Sequence, residues 1–169
     1  MALLSRTFIR RQPSPFWQQA IPIATVMLGS LTPILPVIST SPSMPPLGLM
    51  ALLSWRSLHR DIWPIWMPLC LGFFDDLFSG QPMGSAMLLW TSSFLLMEAL
   101  DRRMVWRDFT QEWMLAGTLI TLIIFGNLAI GNMTGGGTSA LVVVPQILIS
   151  IGLFPLVSRL CARLDQMRL

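Results

Sequence analysis

The sequence predicts an all-α integral membrane protein of six transmembrane helices, with both termini on the cytoplasmic side. Three observations predict it. The chain is 53% hydrophobic and only 11% charged, with a mean hydropathy of +0.65; a soluble domain is roughly a quarter charged. Its eleven basic residues are all arginine and fall into four clusters, Arg6/Arg10/Arg11, Arg56/Arg60, Arg102/Arg103/Arg107 and Arg159/Arg163/Arg168. Two apolar segments separate each cluster from the next, and the connections between those paired segments carry no arginine. Excess positive charge stays on the cytoplasmic side. An even number of crossings gathers every cluster there, whereas five crossings split them. Finally, Trp17, Trp55, Trp63, Trp66, Trp106 and Trp113 fall at the segment ends that face the arginines, as an aromatic belt does, and only Trp90 lies mid-segment.

At 169 residues the chain is read as one polytopic domain. A pI near 10.1 raises the question of nucleic acid. The arginines form short clusters beside apolar segments rather than a stripe, which excludes it. The basic arm before the first apolar run resembles a secretory signal. The run is long and lacks a small-x-small cleavage site, so it reads as a retained span. Cys70 and Cys161 lie in apolar surroundings without ligand spacing, and both are read as structural thiols.

Span one covers 16–38, about 23 residues, enough for a ~30 Å hydrocarbon core. Pro22 kinks it, and Pro33 and Pro36 mark its outer end. A Ser/Thr/Pro loop leads to span two, 45–58, which is short enough to tilt or to thin the bilayer. Arg56, His59, Arg60 and Asp61 make a polar inner turn, with His59 on the surface. Span three, 62–79, opens with Pro64 in its first turn. It is apolar only as far as Phe74, so it must continue through Asp75 and Asp76 to cross. Gly80, Pro82 and Gly84 turn the chain into span four, 83–100. The most charged connection follows, then span five, 113–130, the Gly-rich turn 131–138, span six, 139–160, and a basic tail.

Chemistry concentrates in the run from Gly72 to Gly84. Ionisable groups near a membrane core are functional candidates. Adjacent helical residues point about 100° apart, so Asp75 and Asp76 cannot share a face. Gly72, Asp76 and Gly80 lie four apart on one face, where the small Gly72 admits a close neighbour. Two readings stand: the acids end the third span in solvent at the outer surface, or one of them faces the bundle. A catalytic aspartyl pair needs carboxylates converging from separate positions, and the remaining acids lie at the inner ends. His59, the only histidine, has no companions for a zinc site, and Gly135-Gly136-Gly137 lacks the Lys-Ser/Thr of a phosphate loop. No catalytic residue, metal or cofactor is expected.

The pattern Gly72-x-x-x-Asp76-x-x-Ser79-Gly80-x-Pro82-x-Gly84 resembles that of the bacterial rod shape-determining MreD family. So do the segment from Pro46 to Trp55 and the six-span layout. Asp75 stands where the family usually has an apolar residue, so the family's acidic position is carried to Asp76. The resemblance implies a fold similar to the substrate-binding subunits of energy-coupling-factor transporters. It implies a non-enzymatic, multi-pass subunit of the cell-elongation machinery in the bacterial inner membrane, helping to maintain cell shape during peptidoglycan synthesis. The implied partners are an MreC-like protein, MreB, RodZ, a RodA-type glycosyltransferase and a class B penicillin-binding protein. The motif residues Gly72, Asp75, Asp76, Ser79, Gly80, Pro82 and Gly84 are then a partner-binding or structural element. The alternative is the substrate-binding membrane subunit of a small-solute, vitamin-type transporter, for which the polar turn lines an outward pocket.

Overall fold

The structure is a computed structural model and describes residues 15–34, 44–59, 63–102 and 108–168. All regular structure among the described residues is helical: α1 (Pro15–Ser30), α2 (Leu47–Leu58), α3 (Met67–Ser79), α4 (Ser85–Asp101), α5 (Phe109–Met133) and α6 (Val144–Arg168). Short 3-10 turns at Thr32–Ile34 and Ala140–Val143 follow α1 and precede α6. Two helices, Phe109–Met133 and the continuous stretch Ala140–Met167, are long and apolar enough to cross a membrane.

Proline sets several boundaries differently from the sequence expectation. The first span was expected over 16–38, but α1 stops at Ser30. Pro33 has no N–H for the Gly29 carbonyl, which accepts the Thr32 hydroxyl instead. Residues 35–43 lie outside the described set. The third span was expected from 62, but α3 begins at Met67, after a turn closed by the Met67 amide on the Pro64 carbonyl at 3.0 Å. The fourth, expected over 83–100, is α4 at Ser85–Asp101. The fifth and sixth run past their expected limits, to Phe109–Met133 and to Arg168. Charged residues end an apolar run without ending a helix, so the basic tail is a continuation of α6.

Helix α2 is enclosed: every residue from Gly48 to Arg56 is buried, and α1, α5 and α6 pack around it, the setting of a helix that is apolar over most of its circumference. Gly29 and Gly48 bring α1 and α2 together: a Cβ on Gly29 would stand 2.7 Å from the Gly48 nitrogen. Outside this core the surface stays apolar. Phe73, Leu88, Leu122, Leu148 and Leu156 are exposed on α3 to α6.

The two ends of the bundle differ. At one end, Arg56 of α2 pairs with Asp101 of α4 at 3.3 Å, both buried, with the guanidinium carbon 5.0 Å from the Phe94 ring centroid. His59 there lies 3.0 Å from both carboxylate oxygens of Asp165 on α6, so it joins α2 to α6 while its side chain stays 39% exposed, as a surface residue. Two of the expected belt tryptophans are internal. Trp55 is fully buried and donates to the Thr25 hydroxyl at 2.8 Å, and Trp63 is buried as well. Trp66 and Trp113 keep exposed faces. The Trp113 indole donates to the Ile151 carbonyl at 2.9 Å. That carbonyl would otherwise lack a helical partner, because the residue four ahead is Pro155. The opposite end gathers the start of α2, the α3–α4 turn and the α5–α6 turn around one cavity.

Candidate functional site

Four residues, 81–84, separate the C-cap Gly80 from α4. Gly80 (φ 67°, ψ 12°) and Gly84 (φ 94°, ψ −9°) both hold the left-handed conformation, which glycine adopts without a Cβ penalty. Gly84 is the N-cap of α4 and has no side chain to receive that helix's first amides. Asp76, eight residues earlier on α3, supplies the missing acceptor. Its Oδ2 accepts the Gly84 amide at 2.9 Å and the Met87 amide at 3.2 Å. Its Oδ1 accepts the Ala86 amide at 2.9 Å and the Ser85 hydroxyl at 3.2 Å. The second and third helical amides are those a local N-cap side chain normally satisfies. The remaining ones are also placed: the Ser85 amide donates to the Pro82 carbonyl at 3.1 Å and the Leu88 amide to the Gly84 carbonyl at 3.0 Å. A carboxylate on the positive end of a helix gains further from the helix dipole.

Gly72 completes the clasp. It lies one turn before Asp76 on the same face of α3. A Cβ there would meet the Met87 Cα at 2.8 Å and the Ala86 carbonyl oxygen at 2.9 Å. The start of α4 is thus pressed against α3, and that proximity brings its amides within reach of Asp76. Asp76 is 4% exposed. It is neither at the solvent-facing end of a helix nor open to a partner chain; its acceptors are spent within its own hairpin.

Asp75 has a different fate. One residue earlier, it turns away from α4 and lines the cavity of about 450 Å³ at this end. The buried Ser30 hydroxyl of α1 lies beside it, off hydrogen-bond geometry. Ser79, Gly80 and Pro82 also line the cavity, while Gly72 and Gly84 do not. The seven motif residues therefore divide between an internal clasp (Gly72, Asp76, Gly84) and a cavity wall (Asp75, Ser79, Gly80, Pro82).

Residues that sequence reasoning did not join to the motif complete the cavity. Trp90 of α4, Asn127 of α5, Gln146 of α6 and Pro45 and Pro46 before α2 all border it. The Ser79 hydroxyl and the Asn127 Oδ1 are buried without a hydrogen-bond partner. Asn127 presents that oxygen on the cavity wall. Asn132 holds its own loop: its Oδ1 accepts the Thr138 amide at 3.1 Å and its Nδ2 donates to the Thr138 carbonyl at 3.2 Å. Of the other helical glycines, Gly126 packs under Leu89 and Gly117 under Ile151, but Gly152 faces open space. Sequence spacing gave no signal for the rest of the cavity wall beyond the polar turn, since that wall comes from all six helices and their connections.

Among the described residues, no group of three or more His, Cys, Asp or Glu gathers that could hold a metal ion. The chain matches no known family model, no curated protein and no solved structure.

Proposed function

We propose that this chain is a six-span, non-enzymatic protein of the bacterial cytoplasmic membrane with both termini inside. In this reading it is an MreD-type subunit of the rod-elongation machinery, capturing an MreC-like partner and helping to maintain cell shape. MreB, RodZ, a RodA-type glycosyltransferase and a class B penicillin-binding protein complete the assembly. The observation that carries the reading is the α3–α4 clasp. The glycines and the acid that make up the family-like pattern are the groups that the hairpin requires. On this reading the motif serves partner capture indirectly, by fixing the hairpin whose outer faces meet other membrane proteins. The apolar exposed faces of α3 to α6 support insertion in a bilayer. The arginine distribution supports the orientation. The adjacent acids, one capping a helix and one facing a cavity, form no acid–base pair.

The test has two arms. In a background with Cys70 and Cys161 replaced by serine, Met83→Cys should react with an impermeant maleimide in intact cells, and Gln111→Cys only after permeabilisation. Labelling of both from one side refutes the topology. Depletion of the chain from its host should round the cells, and tagged wild-type chain should co-purify an MreC-like protein. Rod-shaped depleted cells refute the rod-complex assignment.

A specific observation, the cavity beside the polar turn, favours a second reading: the substrate-binding subunit of a small-solute transporter. Loss of solute uptake on depletion, with cell shape intact, distinguishes it.

A further inference from the structure

We propose that the cavity between the α3–α4 turn, the α5–α6 turn and the start of α2 is a binding site for a small organic solute bearing a primary ammonium group, with Asp75 as its counter-charge. The volume, about 450 Å³, falls within the range of small-molecule pockets, roughly 300–1,000 Å³. Its lining is mostly apolar with a few polar groups, which is the usual make-up of such sites. What the polar groups have left to offer decides the class of ligand.

Apart from the Ser30 hydroxyl beside Asp75, no described residue donates to the Asp75 carboxylate, the Ser79 hydroxyl or the Asn127 Oδ1. Asp75 is the only charged residue on the described wall, and it makes no ion pair there. The Ser79 hydroxyl and Asn127 Oδ1 have no partner. The side-chain amides of Gln146 and Asn132 each spend one N–H within the fold, on the Met44 carbonyl at 2.7 Å and the Thr138 carbonyl at 3.2 Å. Buried polar groups without partners are costly, and a buried carboxylate more so. The neighbouring Asp76 shows the contrast, since four donors of its own hairpin satisfy it. The one charge on this wall, Asp75, is therefore answered by a ligand that brings a positive charge and N–H donors. A primary ammonium brings three donors and one charge. The buried Trp90 ring borders the same space and provides an aromatic wall of the kind that favours cations.

Such binding is separable from membership of a rod complex: the one is read on purified protein, the other by cell shape and co-purification. The full chain, purified in detergent, is titrated calorimetrically with 2-phenylethylammonium, and with 2-phenylethanol as a neutral probe of nearly the same shape. Heats from protein-free micelles are subtracted. Saturable binding of the ammonium is expected, at least about tenfold tighter than the alcohol, the effect of one modest charged contact. Asp75→Asn should remove that preference and leave the melting transition in place, because Asp75 takes no part in the clasp. Should that variant fail to fold, the wild-type ratio of the two probes decides alone. Equal affinities for the two probes, no saturable binding of the ammonium, or an unchanged preference in a folded Asp75→Asn protein would overturn the assignment.

Discussion

Replacing Asp76 by alanine removes the acceptor that starts α4, and the structure sets the scale of the damage. Three amides lose their partner, and the Ser85 hydroxyl keeps only its long contact to the Gln81 Oε1 at 3.4 Å. The Gly84 and Met87 amides are only partly buried and can recruit water. The bonds from the Ala86 amide and the Ser85 hydroxyl are buried, and Ala86 and Ser85 themselves are almost wholly enclosed. A buried donor left without a partner costs about 1–3 kcal/mol, and loss of an ordinary N-cap about 0.5–2 kcal/mol. These describe overlapping losses, so the expected destabilisation is about 2–5 kcal/mol. Asp76→Asn keeps the shape but turns an amide NH₂ towards N–H donors, so at least one pair of bonds fails, and it should fall between wild type and alanine. The assay is reversible unfolding in mixed micelles, together with amide hydrogen exchange. Exchange at Ala86 and Met87 should accelerate well before global unfolding, while amides in the middle of α5 stay protected. If Asp76→Ala unfolds at the wild-type midpoint with Ala86 and Met87 unchanged, the clasp does not carry the hairpin.

Other substitutions probe neighbouring joints. Gly72→Ala forces a Cβ against the α4 backbone, which cannot rotate away as a side chain would. A loss towards the upper end of about 1–3 kcal/mol is expected in the same unfolding assay, with faster exchange at Met87. Gly84→Ala strains a left-handed residue and should cost about 1–2 kcal/mol. Trp113→Phe removes the donor to the Ile151 carbonyl and should cost about 1 kcal/mol. In a Pro155→Ala background the helix supplies its own amide to that carbonyl, so the same substitution should cost measurably less; an additive double-mutant cycle refutes the account. At the other end, Asp101→Ala leaves the Arg56 guanidinium buried without this carboxylate, and a loss of about 3–5 kcal/mol is expected. A change below 1 kcal/mol in equilibrium unfolding would place the pair's energy elsewhere.

The sequence by itself determined the all-helical class and the order of the helices. Low charge, apolar runs and arginine clustering are properties of local composition, and composition survives any arrangement of the helices. It also marked Gly72 to Gly84 as the exceptional stretch, because glycine at turn positions and acids in an apolar run violate local expectation on their face. Spacing was enough to say that Gly72 and Asp76 share a side and that Asp75 does not. What each side meets was settled only by tertiary packing. A carboxylate is equally compatible with solvent, a partner or a helix end, and the close approach of α4 selects the helix end for Asp76. Helix boundaries drifted where charge was taken for a stop signal, as at Phe109 and beyond Leu160, since a helix ends where its hydrogen bonds end and not where its hydropathy does. The tryptophans followed the same logic: position along a segment gives depth, but burial of Trp55 depends on which helices surround α2. The cavity lay furthest from the sequence. Asp75, Trp90, Asn127 and Gln146 stand on four different helices, and only the folding of α3, α4, α5 and α6 against one another brings their side chains to a common wall.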